Sequence, residues 1–180
     1  MYITGAKDSW VSNHPCPMRV MKFDRRQSPG YVINHLARLF AQALYRRIAP
    51  HGISTGQFPV LLMLWEQEGV TQARLAERLA VEQPTMANTL KRMERDGLIT
   101  RVPDPGDRRQ AHVHLTPRGR ALEDVLTASA RETNAAALAG LNVEERQHFL
   151  ALARRVMQNL EQDAGMAKQE ANPNSPGGEP

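Results

Sequence analysis

Polar and cationic side chains recur at helical spacing around Asn88 and Arg92, which lie four residues apart. Asparagine can pair with N6 and N7 of adenine, arginine can pair with O6 and N7 of guanine, and threonine can contact a thymine methyl group or a phosphate. This face predicts contacts to base edges in a DNA major groove, and a merely solvated helix face is the alternative. Its members are Thr85, Asn88, Thr89, Arg92 and Arg95. The apolar residues that face the other way are Met86, Leu90 and Met93.

Two adjacent arginines, Arg108 and Arg109, lie in the charged turn DPGDRR of residues 104–109. Guanidinium groups at a hairpin tip can enter a narrow minor groove or bind phosphates. Asp107 is two residues from Arg109, and a carboxylate there predicts a bidentate pair that orients the guanidinium. A plain charged β-turn is the other interpretation.

Apolar periodicity predicts that most of the chain is helical. The predicted helices cover about 31–49, 54–68, 71–80, 84–97, 116–140 and 142–163. Capping signals mark four of their starts, namely Ser54 with Gln57, Thr71, Thr116 with Pro117, and Asn142 with Glu145. The third and fourth helices are separated by only a short break, so they form a tight helix pair.

The only sheet signal follows this pair, where β-branched and alternating residues predict strands at 98–103 and 110–116 joined as a hairpin. Two short helices followed at once by a hairpin form a winged helix-turn-helix. The predicted fold is therefore mainly α with a small β wing, and long N- and C-terminal dimerisation helices flank it. We expect a flexible N-terminal arm over 1–27 and a winged helix-turn-helix DNA-binding domain over 53–116. A helical dimerisation region covers 28–52 and 117–163, and a disordered tail covers 164–180.

The terminal helices carry more apolar residues than a small winged domain can cover. An exposed apolar stripe of that length predicts a homodimer. A symmetric pair places two recognition helices about 34 to 36 Å apart, one turn of DNA. The stripe consists of Leu36, Phe40, Leu44, Leu122, Leu126, Phe149, Leu152 and Val156.

The segment TQARLAERLAVEQPTMANTLKRMERDGLITRVPDPGDRRQAHVHLTPRGRAL resembles the MarR family of multiple-antibiotic-resistance-type regulators. The resemblance covers residues 30–163, and its specific parts are Asp-x-Arg ending at Arg109 and Leu-Thr-x-x-Gly ending at Gly119. It implies a dimeric winged-helix protein whose first and last two helices interlock, and whose fourth helix and wing bind a pseudo-palindromic operator in double-stranded DNA. It implies nothing for the arm before residue 28.

The resemblance also implies a small phenolic or aromatic acid as effector, bound between the dimerisation helices and the winged domain. A stripe on the first helix suits such a ligand, because Tyr31, His35 and Arg38 step by four and three residues. Arg38 can pair with the carboxylate, His35 with a ring hydroxyl or nitrogen, and Tyr31 or Phe58 can pack on the ring. A polar face at solvent or at the dimer seam is an equal alternative.

Composition and motifs exclude several classes of protein. No apolar run approaches the roughly 18 residues of a membrane span, and the start MYITGAKDSW lacks the apolar block of a signal peptide, so a cytoplasmic protein is expected. The net charge is +4, and the excess of basic residues lies in the first two thirds of the chain, which is compatible with DNA binding. The sequence contains no HExxH motif, no glycine-rich phosphate loop and no Cys/His pair on predicted helices or strands, so no motif indicates an enzyme. His112 and His114 are too few for a metal site, and no cofactor is predicted.

Two other functions stay open at this point. Cys16, the only cysteine, permits a redox-responsive repressor, although no helix start near it would lower the thiol pKa. A winged helix can also act as a protein-interaction module without DNA specificity.

Repression is favoured over activation because a dimer bound across a promoter blocks polymerase without any further contact surface.

Overall fold

The computed structural model describes the backbone of residues 24–107 and 110–171, and their side chains as far as residue 164. Contacts between Cα atoms divide the chain into two units, Met1–Arg38 and Leu39–Pro180. The boundary falls inside the first long helix. The N-terminal arm before residue 24, including Cys16, the arginines Arg108 and Arg109, and residues 172–180 lie outside the described residues.

The first unit contains a 3₁₀ turn and the start of helix α1. The turn, Arg25–Gln27, is capped by Asp24, whose carboxylate accepts from the backbone N–H of Arg26 at 2.9 Å. Helix α1 spans Pro29–Ile48 and thus crosses the unit boundary. It begins with a proline. The first turn of a helix tolerates proline, because an N–H at that position would have no partner within the helix.

The described part of the second unit contains the 3₁₀ turn Ala49–His51 and six further α-helices. They are α2 (Phe58–Glu66), α3 (Gln72–Arg78), α4 (Gln83–Arg95), α5 (Pro117–Ala121), α6 (Glu123–Ala137) and α7 (Val143–Ala171). Within the described residues, no helix is both long and apolar enough to cross a membrane.

Capping side chains mark three of the four helix starts for which the sequence predicts them. Thr71 Oγ1 accepts from the N–H of Arg74 at 3.3 Å, and Thr116 Oγ1 accepts from Gly119 at 3.1 Å. The Asn142–Glu145 capping box is complete, because each side chain accepts from the other residue's N–H, at 2.8 and 2.9 Å. These three starts are confirmed, and they orient the helices before any long-range packing is considered.

Three strands form one antiparallel sheet in the order β1-β3-β2. The predicted hairpin is confirmed as β2 (Ile99–Pro103) and β3 (Ala111–Leu115), with Val102 opposite His112. Strand β1 (Val70–Thr71), which was not predicted from the sequence, pairs with the other edge of β3. Two residues are too few to show alternation, and this strand exists only through its pairing.

Three predicted helix boundaries need correction. Helix α2 begins at Phe58 rather than Ser54, because the Ser54 hydroxyl donates to Gln57 Oε1 and the residues between them form a turn. The single helix expected over 116–140 is two helices, α5 and α6, separated at Leu122, whose backbone stays in the helical region (φ −85°, ψ −9°). The last helix does not end near Asp163, because α7 continues to Ala171. The first part of the predicted disordered tail, 164–171, is therefore helical.

The core of the second unit joins the end of α1, α2, the α3–α4 pair, the sheet and α6. Its fully buried side chains include Ile48, Leu61, Leu64, Leu75, Leu90, Met93 and Leu98. Leu126 is fully buried, and Leu44 and Leu122 pack against the same core. Their assignment to an exposed dimer stripe was wrong, because these side chains face the core of the second unit.

Candidate nucleic-acid interface

Helix α4 presents a polar face to solvent while its other face is held in the core. Met86, Leu90 and Met93 are at most 2% exposed, which fixes the rotation of the helix. The exposed side chains include Thr85, Asn88, Arg92 and Arg95, as the sequence predicts. Arg92 and Arg95 lie in the last turn, where the partial negative charge of the helix C-terminus favours cations.

Thr89 does not belong to this face. It is only 5% exposed, and its hydroxyl oxygen accepts a hydrogen bond from Arg92 Nη2 at 3.4 Å. The reason is rotational, because Thr89 lies about 40° from Met93 in a helix of 3.6 residues per turn. Thr89 therefore supports Arg92, and its burial removes it from the exposed face that was predicted to contact DNA.

Lys91 is an exposed cation that the sequence analysis overlooked. It is three residues after Asn88 and four before Arg95, so it extends the same face. Helical spacing alone could have identified it.

The carboxylates near the end of α4 are neutralised by neighbouring cations. Glu94 Oε2 accepts from Arg101 Nε and Nη2 at 3.1 and 2.8 Å, and Arg101 lies on β2. Asp96, the residue after the helix, accepts from Arg95 Nε at 3.0 Å. These pairs reduce the repulsion that an approaching phosphate backbone would meet from the two acids.

The turn of the wing is organised by Asp104. One carboxylate oxygen accepts from the N–H groups of Gly106 at 2.7 Å and Asp107 at 3.0 Å, and the other contacts His112. Asp107 accepts from the side chain of Gln110 at 3.2 Å. Arg109, the predicted partner of Asp107, lies outside the described residues.

His112 lies between two hydrogen-bond acceptors. Its Nδ1 is 2.7 Å from the carbonyl oxygen of Gly69 and its Nε2 is 2.7 Å from Asp104 Oδ2. A carbonyl and an ionised carboxylate accept but do not donate, so both contacts are satisfied only when both ring nitrogens carry protons. The Asp104 contact, and then the Gly69 contact, raise the pKa of His112 above its ordinary 6.5, and His112 lowers the pKa of Asp104.

We expect this ion pair to make the stability of the wing depend on pH. Because the folded pKa of His112 is raised, its stabilisation is complete below pH 6.5 and is lost as pH rises through the folded value. Because the pKa of Asp104 is lowered, its stabilisation is lost only in acid below 3.8. The Tm difference between wild type and His112→Gln should therefore be larger at pH 5.5 than at pH 9. The exposed His148→Gln is the control, and a difference that does not change with pH would contradict the assignment.

His114, the other strand histidine, faces Glu68 rather than His112's partners. Its Nδ1 is 3.7 Å from Glu68 Oε2, and that carboxylate also binds Arg120 through two bonds of 2.8 Å. The Arg120 hydrogen bond lowers the pKa of Glu68. Among the described residues, no group of three histidines, cysteines or acids is placed to hold a metal ion.

The residues predicted to bind an aromatic acid fall in both units. In the first, the rings of Tyr31 and His35 stack with centroids 6.4 Å apart, and Arg38 is exposed. In the second, Phe58 is 4% exposed and meets Trp65 edge-on at 6.4 Å. It also borders an apolar crevice of about 260 Å³, whose other lining residues are Phe40, Ala41, Leu44, Leu62, Ala130, Thr133 and Asn134. Phe58 is thus mainly a core residue.

Comparisons with known proteins agree with this architecture. The family model described as the MarR family matches residues 53–111. The uncharacterised HTH-type transcriptional regulator YybA of Bacillus subtilis is 30% identical over 111 residues, covering 62% of this chain and 74% of YybA. The HTH-type transcriptional repressor NicR of Pseudomonas putida is 28% identical over 145 residues, 81% of this chain and 92% of NicR.

A solved structure is similar over three quarters of this chain. It concerns regulation of DNA binding of Bordetella bronchiseptica BpsR by 6-hydroxynicotinic acid, and it matches with a TM-score of 0.69 and 25% identity over 75% of this chain and 96% of that one. The fold and the cationic face of α4, with these relatives, define a winged helix-turn-helix, DNA-binding transcriptional regulator. The chain belongs to the MarR family.

Proposed function

We propose that this regulator is a repressor that binds a pseudo-palindromic operator as a homodimer and releases it when a small aromatic acid binds. The observation that carries the proposal is the exposed face of α4, which is anchored on the core by its apolar side. A rigid helix that presents amide and guanidinium groups can discriminate base edges in the major groove. The proposed DNA contacts are Thr85, Asn88, Arg92 and Arg95, with Arg108 and Arg109 of the wing.

A homodimer is supported by the apolar side chains that one chain leaves exposed. Leu152 and Leu160 on α7 are 51% and 64% exposed, and Phe149 and Val156 on the same helix are also exposed. Contiguous apolar surface of this kind marks a protein–protein interface. Since a two-fold pair carries two copies of α4, the operator should contain two half-sites related by the same symmetry.

The wing is proposed to contact the DNA backbone or the minor groove. We expect Arg109→Ala to reduce operator affinity and to lower the slope of log K against log salt by about one phosphate equivalent, because one released counterion is lost. The measurement is a fluorescence-anisotropy titration at several salt concentrations. Unchanged affinity and slope would contradict a role of the wing in DNA binding.

Repression is supported by geometry and by a relative. A dimer over a promoter excludes polymerase by steric overlap alone, whereas activation needs an additional contact surface. NicR, which is 28% identical over most of the chain, is described as a transcriptional repressor.

An aromatic acid is the proposed effector. BpsR, a structural relative, is described as regulated in its DNA binding by 6-hydroxynicotinic acid. Arg38 on α1 is proposed to bind the carboxylate, with His35 contacting a polar ring substituent and Tyr31 packing on the ring.

We expect Arg38→Ala to abolish induction while leaving operator binding nearly intact. An effector that binds the DNA-incompetent form about 5- to 150-fold better supplies roughly 1 to 3 kcal/mol of coupling, and bound operator must weaken effector binding by the same factor. Calorimetry with hydroxylated benzoic and pyridine carboxylic acids measures both variants. If every acid fails to bind, or if Arg38→Ala responds as wild type does, the effector assignment is wrong.

A footprint on the DNA that flanks the gene tests the proposed function as a whole. We expect protection of two half-sites whose centres are about 10 base pairs apart, or a multiple of this, and two protein chains per duplex. Protection of a single half-site by one chain, or no protection, would contradict the dimeric repressor.

A further inference from the structure

The side chain of Gln57 is buried at the start of α2 and joins two distant parts of the fold. It is 3% exposed. Its Oε1 accepts from the backbone N–H and the hydroxyl of Ser54 at 2.9 and 3.1 Å, and its Nε2 donates to Asp96 Oδ2 at 2.9 Å. Because one end meets an N–H donor and the other a carboxylate, only one orientation of the amide satisfies both contacts.

Asp96 continues this chain of contacts to the DNA-facing surface. Its second oxygen accepts from Arg95 Nε at 3.0 Å, and its backbone carbonyl accepts from Arg118. The bond from Gln57, followed by that from Arg95, lowers the pKa of Asp96, so the carboxylate stays ionised near neutral pH. The α1–α2 loop is thus linked through the side chains of Gln57 and Asp96 to Arg95, a cation at the end of α4.

Arg95 itself remains available to a ligand. Its side chain is 72% exposed, and the contact with Asp96 uses the Nε–H, which leaves both terminal amino groups for other partners. An ion pair this exposed contributes little to folding stability. The Arg95–Asp96 pair instead orients the Arg95 guanidinium. A guanidinium held in one rotamer loses less conformational freedom when it binds.

A cleft of about 310 Å³ opens beside these residues, and it is lined by Ser54, Gln57, Arg92, Arg95 and Asp96 among others. The C-terminal end of a recognition helix lies farther from the base edges than its N-terminal end does. A backbone phosphate is therefore the ligand that fits Arg95 here, since a guanidinium pairs with two phosphate oxygens through parallel N–H bonds.

We infer that Gln57 and Asp96 are positioning residues for DNA binding, which hold Arg95 in the orientation that binds a DNA phosphate. The inference rests on the proposed function, because it assumes that this face of α4 meets DNA. Gln57 contributes no contact of its own to the DNA. It acts through Asp96 and Arg95, so its effect must vanish when Arg95 is absent.

A double-mutant cycle on the full-length protein tests this dependence. We expect Gln57→Leu and Arg95→Ala each to lower operator affinity about threefold to tenfold, and the double variant to be no weaker than Arg95→Ala alone. The salt slope should fall in both single variants. The exposed Gln67→Leu is the matched control and should bind as wild type does.

Losses that multiply in the double variant, or full affinity of a folded Gln57→Leu, would overturn the inference. Circular dichroism checks folding, and if Gln57→Leu does not fold, Asp96→Ala at the helix end replaces it in the cycle with the same expectation. Arg92→Ala separates the two levels of the proposal. If it weakens binding while Arg95→Ala does not, the inference fails and the DNA-binding face stands; if neither weakens binding, the proposed function fails.

Discussion

Replacing Arg92 with alanine is expected to weaken operator binding by roughly 1 to 3 kcal/mol and to relax the preference at one base pair. Arg92 is exposed one helical turn after Asn88, and its guanidinium touches the buried Thr89 hydroxyl at 3.4 Å. This contact keeps the side chain against the helix face that we propose enters the groove. A bidentate pair with guanine lost at this position removes both affinity and discrimination.

Lys91→Ala provides the matched comparison for Arg92→Ala. Lys91 is exposed on the same helix, but a lysine binds phosphate as a point charge, so its removal should weaken operator and random DNA about equally. Anisotropy titrations of both variants on both duplexes measure the difference. Equal losses on operator and random DNA for Arg92→Ala would mean that Arg92 only contacts a phosphate.

Replacing Gly119 with alanine is expected to destabilise the protein by about 2 to 4 kcal/mol. Gly119 is buried in α5 against Leu98, the residue before β2, and an added Cβ would overlap the carbonyl oxygen of Leu98 and lie 3.1 Å from Leu115 Cδ2. The carbonyl has no freedom to move away, because it accepts from the N–H of Thr116 at 3.0 Å. Trp65 Nε1 also donates to the carbonyl oxygen of Gly119 at 3.1 Å, so a shift of α5 would break that bond.

Chemical denaturation with the linear extrapolation measures this loss. Gly56→Ala is the control, since a Cβ there meets nothing within 4 Å and Gly56 is exposed. It should stay within about 0.5 kcal/mol of wild type. A Gly119→Ala variant as stable as wild type would show that α5 can retreat from Leu98 without loss.

Local signals predicted most of the fold. Thr71, Thr116 and the Asn142–Glu145 pair cap helices as expected, because a capping side chain bonds to N–H groups only two or three residues away. The parts that were missed depend on distant partners. Strand β1 is defined by pairing with Val113 and His112, and the burial of Leu126 depends on how α6 packs against the winged core.

The sequence also predicted part of the candidate site. The exposure of Asn88, Arg92 and Arg95 follows from helical spacing, whereas Thr89 lies at the margin of the face, where periodicity does not decide burial. The Gln57–Asp96 bond spans 39 residues. In the sequence Gln57 shows only its local capping signal, and no pattern indicates the second contact.

The most direct test of sequence-specific DNA binding uses the wild-type protein and two duplexes of equal length, one containing the footprinted operator and one of random sequence. Dissociation constants are measured between about 50 and 200 mM salt, where binding through phosphates weakens steeply. We expect the operator to be bound at least about 10³-fold more tightly than random DNA at physiological salt, with both affinities falling as salt rises. Equal affinity for the two duplexes, or no binding to either, would contradict the assignment of α4 as a DNA-reading helix.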